Sequence, residues 1–114
     1  MHRVVLGLGS NLQPQRHLTT ALQHLCAQFE HIDISPVYET QAVGFDGPNF
    51  WNLIVGIQTD LFLEPLKTRL RAIEYDLGRP PQAQKWADRC IDIDILIFGD
   101  LVGATCVGKL PRAD

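Results

Sequence analysis

The stretch Cys90-Ile-Asp-Ile-Asp-Ile-Leu-Ile-Phe98 decides the fold. Its apolar and polar residues alternate with a period of two, which predicts a strand with Ile91, Ile93, Ile95 and Ile97 on one side. Asp92 and Asp94 then share the other side with Leu96 and Phe98. A row of isoleucines needs a core beneath it, so the two carboxylates project together onto the face turned away from that core. Two like charges about 7 Å apart on a sheet repel one another and lose hydration without gaining a partner. A hard divalent cation resolves that conflict: magnesium takes oxygen ligands and is commonly held by one or two carboxylates together with substrate phosphates. On these nine residues alone a second reading stays open, in which one aspartate pairs with Arg89 and the other is simply solvated.

Working upstream, residues 79–89 read as a loop, and before it lies an amphipathic helix. Pro65 stands near its start, Leu66, Leu70, Ile73 and Leu77 form its apolar stripe, and Gly78 with Pro80 ends it. The run 50–59 reads as another strand, with Trp51, Leu53, Val55 and Ile57 facing the core and Phe50, Asn52, Ile54, Gly56 and Gln58 facing away. Two glycines and a proline within 43–48 mark a loop. Residues 32–37 suit a further strand. Leu18, Leu22, Leu25 and Phe29, after Pro14 in a first turn, make one apolar helix face. Residues 3–8 are a short β-branched strand running into the turn Gly9-Ser10-Asn11. Strand, helix, strand, strand, helix, strand is the order of the α+β ferredoxin-like unit (βαββαβ), an antiparallel sheet with both helices on one face. The other face is left open for an active site. The tail from Gly99 onward is weakly patterned and suits the beginning of a hairpin.

The chain's 114 residues fit a single domain, residues 1–114, able to bury its own core. A net charge of −3 and a pI near 5.7 provide no basic field for nucleic acid or an anionic membrane. Any phosphate must therefore be held locally, by a few residues or by a cation. Cys26, Cys90 and Cys106 contain no C-x-x-C pair and read as reduced thiols acting as small core hydrophobes. No run approaches the length of a membrane span and the start lacks a leader pattern, so a cytoplasmic protein is expected.

Arg79, Lys85 and Arg89 gather cations in the loop that delivers the chain to the aspartates, where phosphate oxygens would lie, although a charged loop is often just solvated. Trp86, in the same loop, either anchors it or stacks on a planar heterocycle. Phe50 and Asn52 set a planar ring beside an amide that both donates and accepts hydrogen bonds, a pair suited to a flat polar heteroaromatic ligand. Glu74 can pair with Arg71 three residues earlier, and its function cannot be read locally. Gly7-Leu-Gly9 lacks the third glycine of a dinucleotide fingerprint and reads as a tight turn. His2, His17, His24 and His31 have no ligand spacing.

In order along the chain, Gly9-Ser10-Asn11, Tyr38-x-Thr40 with Gly44, Pro48-x-Phe50-x-Asn52, Glu74-x-x-x-Gly78-Arg79, Trp86-x-x-Arg89-x-x-Asp92-x-Asp94 and Phe98-Gly99 resemble the 6-hydroxymethyl-7,8-dihydropterin pyrophosphokinase family. The resemblance implies transfer of pyrophosphate from ATP to the hydroxymethyl group of the pterin, in folate biosynthesis, with release of AMP. It implies two Mg2+ ions on Asp92 and Asp94, and Arg89 meeting the transferring phosphate. It places Thr40, Gln41, Val43, Phe50, Asn52 and the lid residue Trp86 around the pterin, and Glu74, Arg79, Trp86, Arg89, Ile95 and Arg112 on the ATP side, where the loop cation Lys85 is also expected. Gln41 stands where proline is frequent, Pro81 where some members carry arginine, and Arg112 where many carry histidine. The family's chains continue beyond this point, so a domain lacking the family's C-terminal part is expected, with weak pterin binding and poor turnover. The partners expected are ATP and the pterin, with no nucleic acid or membrane, and a monomeric state. A ferredoxin-like module that binds nucleotide or pterin without turnover is the competing reading.

Overall fold

A computed structural model describes residues 1–41, 47–78 and 91–99, and the backbone of 101–102. The elements run β1 (His2–Ser10), α1 (Pro14–Gln28), β2 (Glu30–Ile34), β3 (Tyr38–Thr40), β4 (Phe50–Thr59), α2 (Leu63–Asp76), β5 (Asp92–Phe98) and β6 (Leu101–Val102). They form one six-stranded sheet in the order β2-β4-β1-β5-β6, with β3 also pairing with β4. Every pairing is antiparallel. β1 and β2 both run antiparallel to the β4 between them, and β4 and β5 both run antiparallel to β1. Each helix therefore crosses over one intervening strand, which is the ferredoxin-like arrangement expected of βαββαβ.

One face of the sheet is the core. Val4, Leu6 and Leu8 from β1, Leu53, Val55 and Ile57 from β4, and Ile93 and Ile95 from β5 pack with Leu18, Ala21 and Leu25 of α1 and Leu66, Leu70 and Ile73 of α2. Both helices thus cover the same face. Burying each such side chain stabilises the fold by roughly 1.5–3 kcal/mol, so continuous core rows on three adjacent strands decide which way the sheet faces. The α2 stripe ends as its sequence requires. Gly78 takes the left-handed conformation (φ 99°) while its N–H and that of Leu77 bond back to carbonyls of the last turn.

Three expectations are corrected. The strand placed at 32–37 is two strands, Glu30–Ile34 and Tyr38–Thr40, both paired with β4, with Ser35 and Pro36 between them. The isoleucine row does not persist to Ile97. Leu6 pairs with Ile95 and Val5 with Ile97, so Leu96 is an extra residue and the strand bulges. After the bulge Phe98 pairs with core-facing Val4 and is 9% exposed, while Ile97 pairs with Val5 on the opposite face. Cys26 is exposed on α1 rather than a core hydrophobe; Cys90 and Cys106 lie outside the described residues. The hairpin beginning is present: β6 pairs back on β5 after Gly99, which has φ 56° and donates its N–H to the Arg3 carbonyl at 2.8 Å.

Candidate active site on the open sheet face

The strand register assembles the site. Tyr38 pairs with Asn52, Asn52 with Gly9, and Gly9 with Asp92, so these four residues form one row across β3, β4, β1 and β5. The next row on the same face is Ile54, Gly7 and Asp94. Cross-strand partners share a face, and none of these residues belongs to the core. With strands about 4.8 Å apart, the backbones of Asn52 and Asp92 stand about 10 Å from each other, and the residue between them has no side chain. The open face therefore carries a glycine floor, with an amide and a ring on one side and two half-buried carboxylates on the other.

That floor was missed in the sequence, where Gly7-Leu-Gly9 read only as a turn. The available signal was parity: residues 7 and 9 share the face opposite Leu6 and Leu8. A Cβ at Gly9 would stand 3.0 Å from Oδ1 of Asn52 and 3.8 Å from Cδ1 of Phe50, so both side chains lean over this glycine. A Cβ at Gly7 would stand 3.2 Å from Cδ1 of Leu96, across from β5.

The Asn52 amide is oriented by its neighbour, its Nδ2 donating to Oγ1 of Thr40 at 2.8 Å. Thr40 pairs with Phe50 in the β3–β4 register, so Thr40, Phe50 and Asn52 form one cluster with Gln41 exposed at its rim. The turn after β1 supports that cluster from below. Ser10 and Asn11 are buried, Ser10 donates to the Leu12 carbonyl, and Nδ2 of Asn11 donates to the Pro48 carbonyl at 3.2 Å, tying the β1–α1 turn to the segment entering β4.

On the other side, Asp92 and Asp94 project from the same face of β5, as their spacing predicted. Among the described residues no three His, Cys, Asp or Glu side chains gather as a cation site. Two carboxylates on one sheet face are oxygen donors of the kind that Mg2+ takes together with water and phosphate oxygens. Ile95 is fully buried toward the core, so only its backbone can meet a ligand. Glu74 is also fully buried, bonding Arg71 through Oε1 and the Ile93 N–H through Oε2, both at 2.7 Å. Val43, Arg79, Lys85, Trp86, Arg89 and Arg112 lie outside the described residues. A groove of about 660 Å³ beside α1, lined by Gln13, Arg16, Thr20, Gln23 and Trp51, lies on the helix side of the sheet and contains neither cluster.

Residues 5–114 match the family described as 7,8-dihydro-6-hydroxymethylpterin-pyrophosphokinase (HPPK). The 2-amino-4-hydroxy-6-hydroxymethyldihydropteridine pyrophosphokinase of Aquifex aeolicus is 37% identical over 114 residues, covering 98% of this chain and 71% of its own. That of Pseudomonas aeruginosa is 34% identical over 104 residues, covering 88% of this chain and 64% of its own. The folic acid synthesis protein fol1 of Schizosaccharomyces pombe is 33% identical over 111 residues, which are 94% of this chain and 15% of that much longer protein. The chain spans about two-thirds of the length of the two bacterial relatives. Matched from its first strand onward, it belongs to the 7,8-dihydro-6-hydroxymethylpterin pyrophosphokinase family.

Proposed function

We propose that this chain transfers pyrophosphate from ATP to the hydroxymethyl group of 6-hydroxymethyl-7,8-dihydropterin. The observation that carries the reading is the register across Gly7 and Gly9, which sets the Thr40, Phe50 and Asn52 cluster opposite Asp92 and Asp94. The pterin would lie on the first side, its ring against Phe50 and its polar edge on the Asn52 amide, with Thr40, Gln41 and Val43 completing the pocket. Asp92 and Asp94 would hold two Mg2+ ions, which when bound neutralise charge on the triphosphate. In the reaction the pterin hydroxymethyl oxygen forms a bond to the β-phosphorus, the bond from that phosphorus to the oxygen bridging it to the α-phosphate breaks, AMP leaves, and the hydroxyl proton passes to water. The protein's contribution is positioning and charge placement rather than covalent chemistry.

Glu74, Arg79, Trp86, Arg89 and Arg112 are assigned to the nucleotide by their place in the family's pattern, Trp86 also to the pterin, Ile95 through its backbone, and Lys85 as a further cation of the same loop. Phosphate in a chain of net charge −3 needs such local cations. The test is AMP release from ATP with and without the pterin, in Mg2+, for the wild type, Asp92→Ala and Asp94→Ala. Pterin-dependent release that falls at least about a hundredfold in either variant, the order expected when a charge-stabilising group is lost, supports the assignment. Release that is independent of the pterin, or unchanged in both variants, contradicts it.

A further inference from the structure

Glu74 is the one buried carboxylate among the described residues, and it sits where the helix layer meets the strand of the aspartates. Its Oε2 accepts the N–H of Ile93, the residue between Asp92 and Asp94. That N–H is directed toward α2, and among the described residues β6 pairs only with Ile97 and Phe98. Among the described residues, a carboxylate from α2 rather than a strand carbonyl accepts this N–H. Bonds to an ionised acceptor are shorter and about twice as strong as neutral ones, so this peptide unit is held more firmly than an ordinary edge-strand amide. The Glu74 charge is matched by Arg71, whose NH1 lies 2.7 Å from Oε1 and whose side chain reaches partly exposed surface.

We propose that Glu74 is a positioning residue that fixes the direction in which Asp92 and Asp94 present their carboxylates. The peptide joining Asp92 to Ile93 carries the captured N–H, and its orientation sets the Cα–Cβ direction of Asp92; the pleat transmits the same constraint through Ile93 to Asp94. With both of its oxygens engaged on the helix side, Glu74 reaches the two aspartates through β5. Outer-shell groups of this kind change metal affinity when lost, typically by 10–100-fold. The inference rests on the reading of Asp92 and Asp94 as cation ligands.

The experiment titrates Mn2+ alone into the wild type, Asp92→Ala, Glu74→Leu and Glu74→Gln, following bound metal by electron paramagnetic resonance and folding by thermal melts. Leucine fills the buried volume without an acceptor, whereas glutamine keeps a neutral acceptor for the Ile93 N–H. Mn2+ affinity is expected to fall about tenfold or more in Glu74→Leu, from the lower end of outer-shell effects upward, and by no more than about threefold in Glu74→Gln, which keeps an acceptor. A merely structural role would lower the melting temperature and leave Mn2+ affinity unmoved. A folded Glu74→Leu protein with wild-type affinity overturns the proposal. If that variant does not fold, Glu74→Gln decides: faster hydrogen exchange at Ile93 with wild-type Mn2+ affinity overturns it too. Loss of no affinity in Asp92→Ala instead removes the cation reading on which it rests.

Discussion

Gly9 shows at the residue scale how an absent side chain makes a site. It pairs with Asn52 on one side and Asp92 on the other, and a single methyl group at this position would meet the Asn52 oxygen at 3.0 Å. Asn52 cannot yield without disturbing its 2.8 Å bond to Thr40. Gly9→Ala is therefore expected to weaken pterin binding about tenfold, the equivalent of about 1.4 kcal/mol, while ATP binding in Mg2+ stays within about twofold. Calorimetric titration of each ligand checks this, and equal losses for both would mean that the methyl group disturbs the sheet rather than the amide. The pair Phe50 and Asn52 was legible in the sequence because alternation alone puts both on the open face. The glycines were not, because their role depends on which residues of β4 and β5 stand beside them. That register is fixed by tertiary pairing rather than by local pattern.

At the scale of elements, β5 carries both the clearest success and the clearest failure of reading by period. Asp92 and Asp94 lie on the face opposite Ile93 and Ile95, as the alternation requires. The bulge at Leu96 then reverses the phase, and no residue type in Ile95-Leu96-Ile97-Phe98 announces it, since all four are apolar. Its consequence is that Phe98 closes the core at the end of the sheet, with the ring of His2 packed 4.8 Å from its own. Phe98→Ala is expected to cost about 3 kcal/mol of stability, by loss of buried area and the cavity left behind. Urea denaturation measures that loss, and a change under about 1 kcal/mol would place Phe98 outside the core. Had the strand kept its phase, the same substitution would have removed a side chain from the open face and changed stability little. Elements with a start and a stop written locally, such as α2 before Gly78, were read to within a few residues. The division of 30–40 into β2 and β3 was not, because it follows from where β4 accepts partners.

The whole molecule separates its two tasks between the faces of one sheet. The helix side is a continuous apolar core that fixes the strand order, and the open side collects residues that packing does not require. Even there the surface is not uniformly polar: Tyr38 and Ile54, 56% and 39% exposed, stand beside Asn52 and Gly7, next to the half-buried Leu96 and Ile97. Such a surface suits a flat ring with a charged group at one end better than it suits water. The proposed reaction requires pterin and metal to bind the same face across the glycine floor, about two strand spacings apart. Paramagnetic relaxation of the bound pterin's protons by Mn2+ measures that distance directly. Strong relaxation corresponding to about 10 Å, lost in Asp92→Ala, is expected. Pterin that binds without relaxation in the presence of bound Mn2+ would put the two ligands on different surfaces and contradict the shared site.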